Sequence, residues 1–187
     1  DLVAYVGRGR YTFRFTPKLS LFGEYNYIRE DFEYPGVDYD VHKPSLGIEY
    51  KFSPTLTGTV QGGYYWQVSD EDEKAKGPHF TLSLIERGKK TTYTLIGEGG
   101  YTQDYFTSQN LGFNKYYRAY GTINHMLTER LSVRATGSME RPEYSDGQKD
   151  WIWDGRVSAS YLLFRWLTTT LEGGHREAHS NVDGQGY

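Results

Sequence analysis

The chain has 187 residues, a net charge of −3, 37% hydrophobic and 17% aromatic residues, 22 Gly, 18 Tyr and no Cys. Without cysteine there is no disulfide framework or thiolate metal site. No run approaches the ~18 apolar residues of a spanning helix, and near-neutral charge gives no footprint for nucleic acid. The aromatic load also excludes a disordered chain, despite a mean hydropathy of −0.71.

What remains is a Tyr- and Gly-rich β protein, and its strands are read in order. Asp1 opens the chain with no Met and no signal peptide, as expected of a processed form or a stretch of a longer protein. From Val3 to Phe15 the odd positions are Val, Tyr, Gly, Gly, Tyr, Phe and Phe, and the even ones include Arg8, Arg10, Thr12 and Arg14. Side chains alternate faces along a strand, so this segment has one apolar and one polar face. After Thr16-Pro17-Lys18 comes a second stripe, Leu19 to Tyr27, opposed by Glu24. The third stripe, Leu46 to Phe52, is opposed by Glu49 and Lys51. Ser53-Pro54-Thr55 leads to a fourth, Leu56 to Val68, and the fifth is Phe80 to Leu84. Beyond Glu86–Lys89 the sixth, Tyr93 to Tyr101, is opposed by Glu98. The seventh, Tyr117 to Ile123, is opposed by Arg118 and Tyr120. Thr128-Glu129-Arg130 precedes the eighth, Leu131 to Met139, opposed by Arg134. The ninth, Trp153 to Leu163, is opposed by Asp154 and Arg156. Past Phe164-Arg165-Trp166, the tenth, Leu167 to Gly173, is opposed by Glu172 and Arg176.

The short turns alternate with longer polar connections, expected at 30–42, 69–77, 104–114, 141–150 and 177–187. A short turn followed by Leu recurs at Lys18-Leu19, Thr55-Leu56, Arg130-Leu131 and Trp166-Leu167, which predicts successive hairpins in a meander.

Two architectures fit ten amphipathic strands: a soluble sandwich with the apolar face inside, or a membrane barrel with it outside. Alternation over about ten to thirteen residues exceeds the five or six of a globular strand and matches a bilayer crossing. Short turns at one end and long loops at the other are the asymmetry of outer-membrane barrels. Aromatics gather at both stripe ends, with Phe13, Phe15, Phe52, Phe164 and Trp166 near short turns and Tyr25, Tyr27, Tyr64, Trp66, Tyr101, Tyr117 and Trp153 near long loops. Two such girdles are expected at the headgroups. Mid-stripe glycines would leave gaps in a soluble core, whereas acyl chains fill them at a lipid-facing wall. The reading is therefore all-β: an antiparallel, up-and-down transmembrane β-barrel in the outer membrane, forming one domain over residues 1–187.

The repeated turn-Leu-Ser-Leu and Gly-x-Tyr pattern, carried by Thr16 to Tyr25 and by Leu46 to Pro54, resembles the Gram-negative outer-membrane porins called "putative β-barrel porin 2". Some members of that family are encoded with exopolysaccharide synthesis and export systems. The resemblance thus implies a porin-like channel for passive diffusion or export of polar solutes, with a link to polysaccharide secretion. Two alternatives stay open: a scaffold barrel anchoring a partner protein, such as an electron-transfer or secretion component, and a soluble β-sandwich binding module.

Strand direction adds an expectation about completeness. The first strand ends at a short turn and the tenth ends in a long connection, so flanking strands are expected, for at least twelve in all and about fourteen to eighteen by family analogy.

Candidate functional residues lie on the polar face. Arg8, Arg10, Arg14, Glu24, Glu49, Lys51, Glu98, Arg118, Tyr120, Arg134, Asp154, Arg156, Glu172 and Arg176 are the predicted lumen lining. Opposed basic and acidic ladders would set a transverse field that screens solutes; the plainer reading is cross-strand pairing that stiffens the interior. Phe22, Tyr65 and Tyr120 are candidate stacking platforms for sugars. Loop acids Asp38, Asp40, Asp70, Glu71, Asp72 and Glu73 are candidates for divalent cations bridging lipopolysaccharide, against a solvated acidic loop. His42, His79, His125, His175 and His179 are scattered, and no His-Glu-x-x-His or Gly-x-Ser-x-Gly occurs. The chain is not read as an enzyme, and no cofactor or metal is expected. The expected partners are outer-membrane lipid and lipopolysaccharide, with a polar solute or polysaccharide as cargo.

Overall fold

A strand that presents Tyr, Leu and Gly on one side and Arg, Glu and Thr on the other gains stability by pairing with a neighbour of the same phase. The chain does this ten times. The computed structural model describes residues 2–32, 38–69, 76–103, 113–144 and 147–181. The strands are β1 (Leu2–Arg14), β2 (Leu19–Phe32), β3 (Tyr39–Lys51), β4 (Leu56–Ser69), β5 (Lys76–Arg87), β6 (Thr91–Gln103), β7 (Phe113–Met126), β8 (Leu131–Glu143), β9 (Asp150–Phe164) and β10 (Leu167–Ser180). They form one antiparallel sheet in sequence order. β1 and β10 are its two edges and do not pair with each other.

Register keeps the two faces apart across the whole sheet. One row runs Phe13, Leu21, Ile48, Val60, Leu82, Gly97, Ala119, Met139 and Trp153. The adjacent row, one residue along, reads Thr12, Phe22, Gly47, Gln61, Thr81, Glu98, Arg118 and Glu140.

Three of the short turns use one device. A hydroxyl at the first turn position accepts two backbone N–H groups: Thr16 Oγ1 from Lys18 and Leu19 at 3.2 and 2.9 Å, Ser53 Oγ from Thr55 and Leu56 at 3.2 and 3.0 Å, and Thr128 Oγ1 from Arg130 and Leu131 at 3.2 and 3.0 Å. Such side-chain bonds hold the reversal without help from tertiary packing.

The strands run further toward the long connections than the apolar stripes predicted. β2 continues to Phe32 and β3 begins at Tyr39, so much of the 30–42 connection is strand. Likewise, β8 reaches Glu143 and β10 reaches Ser180. At that end both faces carry polar residues, which erases the hydropathy alternation while backbone pairing continues.

Proline marks interruptions at the same end. The β3–β4 ladder skips Lys43 and Pro44, and the β5–β6 ladder stops at Phe80 and Gly99, below Pro78. Proline has no N–H to give to a ladder. The Tyr101 ring lies beside this second opening, against Gly77 and with its centroid 5.0 Å from that of Tyr65.

Burial is inverted relative to a soluble protein. Among the described residues, the buried large apolar side chains are Phe22 and Tyr65, and the buried polar ones are Glu24, Ser45, Gln67 and His79. All six belong to the polar face. On the other face Tyr11, Leu46, Leu95, Trp153 and Val157 are each at least half exposed.

Candidate functional site

The polar face holds side chains close to one another, and its charges pair across strands. On β1 and β2, Arg8 Nη2 donates to Glu24 Oε2, and Arg10 lies 3.7 Å from the same carboxylate oxygen. Asn26 Nδ2 donates to the other oxygen of Glu24 at 2.9 Å. The Glu24 side chain is only 5% exposed, whereas Arg8 and Arg10 are 60% and 37% exposed. One sunken carboxylate therefore anchors two guanidiniums that reach toward solvent.

Phe22 occupies the next level. Its ring sits against the α-carbon of Gly47, where a side chain would collide with it, and the Arg10 guanidinium covers it at 3.7 Å. Register makes this possible, since Phe22 faces Gly47 directly across the β2–β3 ladder. Ser45, also buried, accepts Gln61 Nε2 at 2.7 Å and donates to the Glu24 carbonyl at 3.5 Å.

A second cluster on β6–β8 has the opposite stoichiometry. Arg118 binds Glu140 through two nitrogens, both at 3.0 Å, and lies 3.3 Å from Glu98. Its guanidinium also lies over the Tyr116 ring at 5.4 Å. Bidentate guanidinium–carboxylate pairing is among the stronger charge-assisted contacts. Between the clusters the face is uncharged at this level, with Gly47, Gln61 and Thr81.

The remaining predicted residues lie on the same face but separately. Arg156 bonds Asp154 at 3.0 and 3.2 Å within β9. Arg134 Nε donates to Asn124 Oδ1 at 2.6 Å. Arg10, Arg14, Glu49 and Lys51 line a polar recess of about 850 Å³ near the Pro17 turn. Arg134 and Glu172 border another of about 590 Å³ with Ser132, Ser158, Ser160 and Thr170. Tyr120 faces Ile96 and Ser138 at mid-strand, and Arg176 pairs in register with Asp154.

Two aromatic candidates are differently placed from the sugar-platform expectation. Phe22 and Tyr65 are each 3% exposed, so neither presents a ring face to a solute. Asp40 lies in β3, where it accepts the Tyr27 hydroxyl at 2.6 Å. Asp70, Glu71, Asp72 and Glu73 lie outside the described residues.

Sequence reasoning passed over Lys43 and Tyr116 on the polar face, and named His79 without placing it there. The signal was present: Lys43 continues the β3 parity of Ser45, Gly47 and Glu49, and Tyr116 that of Arg118 and Tyr120. Both sit just beyond where the apolar stripes fade.

The comparisons agree with this geometry. The family described as "Putative beta-barrel porin 2" matches residues 1–187. No curated protein sequence matches the chain. Among solved structures, the outer membrane channel DcaP of Acinetobacter baumannii superposes with a TM-score of 0.67 at 9% identity, covering 96% of this chain and 58% of that one. The FrpB iron transporter of Neisseria meningitidis gives 0.66 at 8% identity, with 96% and 36% covered. OccAB4 of Acinetobacter baumannii gives 0.55 at 16% identity, with 94% and 49% covered. The chain thus spans less than two thirds of each of these structures. It belongs to the "Putative beta-barrel porin 2" family and is an outer-membrane β-barrel protein of porin-like fold.

Proposed function

We propose that this family member forms the wall of a passive channel for polar solutes, with the charged face turned to the lumen. The observation that carries this is the inverted burial, with Glu24, Ser45, Gln67 and His79 covered while the large apolar residues lie bare. Polar groups gathered on one side of a lipid-embedded sheet need water or a hydrated cargo beside them. The basic-rich β1–β2 cluster and the acid-rich β6–β8 cluster set a field across that space. Between and below them Thr59, Thr81, Ser83, Thr94, Thr122 and Thr136 offer hydroxyls to a hydrated chain. This lining, with the family's association, supports export of a polysaccharide as the finer reading.

The open sheet extends the proposal. Backbone groups along an edge strand exposed to hydrocarbon cost several kcal/mol each. We infer that β1 and β10 pair with further strands, so that these ten are an arc of a larger barrel. A native polypeptide of 21.6 kDa forming a closed ten-stranded barrel would sink this part.

The test of the channel is conductance of the native protein in planar bilayers, followed by swelling of liposomes in neutral oligosaccharides. Discrete ohmic steps and oligosaccharide uptake are expected. A folded, heat-modifiable protein without conductance would favour the scaffold reading instead.

A further inference from the structure

The membrane-facing surface carries a charged patch that the channel does not use. On β7–β10, at the end bearing the long connections, register lays out two rows. The upper row is Lys115, Glu143 and Lys149, with Glu143 facing Lys115 across the β7–β8 ladder and bridged to Lys149. The lower row is Tyr117, Arg141, Trp151 and His179: Tyr117 faces Arg141, the Arg141 guanidinium lies 5.2 Å from the Trp151 ring centroid, and Trp151 faces His179. Lys115 Nζ lies 5.0 Å from the Tyr117 ring centroid.

These residues share a face with Ala119, Met139 and Trp153, the apolar face, and not with Arg118 and Glu140. Charge on that face is costly unless matched at the interface. Here Glu143 serves three cations, and Glu177, one step lower in register with Trp153, pairs with His179 at 2.9 Å. Glu143 is 3.6 Å from Arg141 and 3.7 Å from Lys149, so Lys115, Arg141 and Lys149 stand against Glu143 and Glu177 and the patch keeps one net positive charge, gathered on its upper side. Arg141 Nε is buried and has no hydrogen-bond partner among the described residues. Cations resting on Tyr and Trp rings are held at the depth where headgroups lie.

Immediately below, toward the short turns, β6 joins these strands in a largely apolar trench. Its upper part, about 490 Å³, is walled by Leu95, Met139 and Trp153, with His175 and Glu177 along its β10 rim. It continues into a second part of about 540 Å³ between Tyr93, Ile123 and Val157. Gly137 and Gly155 floor both parts, and a side-chain carbon at either would meet nothing within 4 Å.

We propose that this surface binds the lipid A portion of lipopolysaccharide, with a phosphate on Arg141, Lys149 and Lys115 and an acyl chain in the trench. Long loops face the cell exterior, so the patch meets the outer leaflet, where the lipid combines phosphates with several acyl chains. Guanidinium and ammonium groups are the donors that phosphate recognition needs. The charge complementarity selects this occupant over a second copy of the chain, whose equivalent patch would repel it. The inference rests on the outer-membrane assignment and not on conductance, so a failed channel test leaves it standing.

Native mass spectrometry of the full native protein in detergent tests it, with bisphosphorylated lipid A, its enzymatically dephosphorylated form and phosphatidylglycerol as probes. Retention of bisphosphorylated lipid A is expected, with affinity falling about tenfold in the Arg141→Gln/Lys149→Gln double variant. A Lys18→Gln control at the opposite end should bind as the wild type does. Gly137→Leu, which fills the trench, should weaken binding with both phosphates intact, and its folded state is checked by heat-modifiable mobility. Equal retention of the dephosphorylated lipid, or an unchanged affinity in the double variant, overturns the proposal. Preference for phosphatidylglycerol overturns it too, since the occupant would then be a phospholipid.

Discussion

The four strands β2–β5 and the four strands β7–β10 are built from the same residue types, yet glycine does opposite jobs in them. In β2–β5 the glycines of the polar face lie under other side chains: Gly47 beneath Phe22, and Gly63 against the Pro44 carbonyl, Ser45 and His79. In β7–β10 three glycines of the apolar face, Gly137, Gly155 and Gly173, lie open. The first set makes room for bulk inside the curve, and the second leaves a trench outside it. The same residue, glycine, therefore seats bulk on the polar face and opens a furrow on the apolar one.

The strongest way to break this contrast is Gly63→Val. The new carbons would meet the Pro44 backbone, which cannot rotate away. A loss of about 3 kcal/mol or failure to fold is expected, read as loss of the heat-resistant band and an earlier guanidinium midpoint. A result near wild type would show that the crowding relaxes cheaply.

Next come the turns, which occur in both regions and should not distinguish them. Ser53→Ala on β3–β4 and Thr128→Ala on β7–β8 each remove a hydroxyl that caps two N–H groups. Each should cost about 1 kcal/mol in the same denaturation assay. Unequal losses would mean that the neighbouring packing, and not the turn, sets the local stability.

A smaller effect separates the charge clusters. Arg118→Gln leaves Glu98 and Glu140 without their shared guanidinium, whereas Arg10→Gln leaves Glu24 still bound to Arg8. Reversal potentials should shift toward cations by about twofold in permeability ratio for Arg118→Gln, and less for Arg10→Gln. Equal shifts would show that both clusters feed one averaged field.

Least of all, Gly137→Ala on the open furrow should change stability by no more than about 0.5 kcal/mol. A larger loss would reveal hidden packing there.

The same contrast explains what was legible in the sequence. Alternation gave the phase of every strand, from Tyr11 on β1 to Leu171 on β10, because one face meets an apolar medium. It did not give register. Parity fixes pairing only to within steps of two, so Arg118 between Glu98 and Glu140 could not be singled out from other even positions. Nor did it show that Gly47 hosts Phe22, since neither residue carries its partner's address. Strand ends were lost for a different reason. Lys43 and Tyr116 alternate with polar residues near headgroup depth, where the medium no longer imposes a preference on either face.

Among the described residues, each strand pairs only with the strands before and after it in sequence. Assembly can therefore proceed as a zipper in which every new hairpin docks on an edge already laid down, with each closure joining strands adjacent in sequence. Growth of such a wall is modular. Duplicating or deleting one hairpin changes the circumference but leaves all other pairings intact, so pore width is open to evolution in units of two strands.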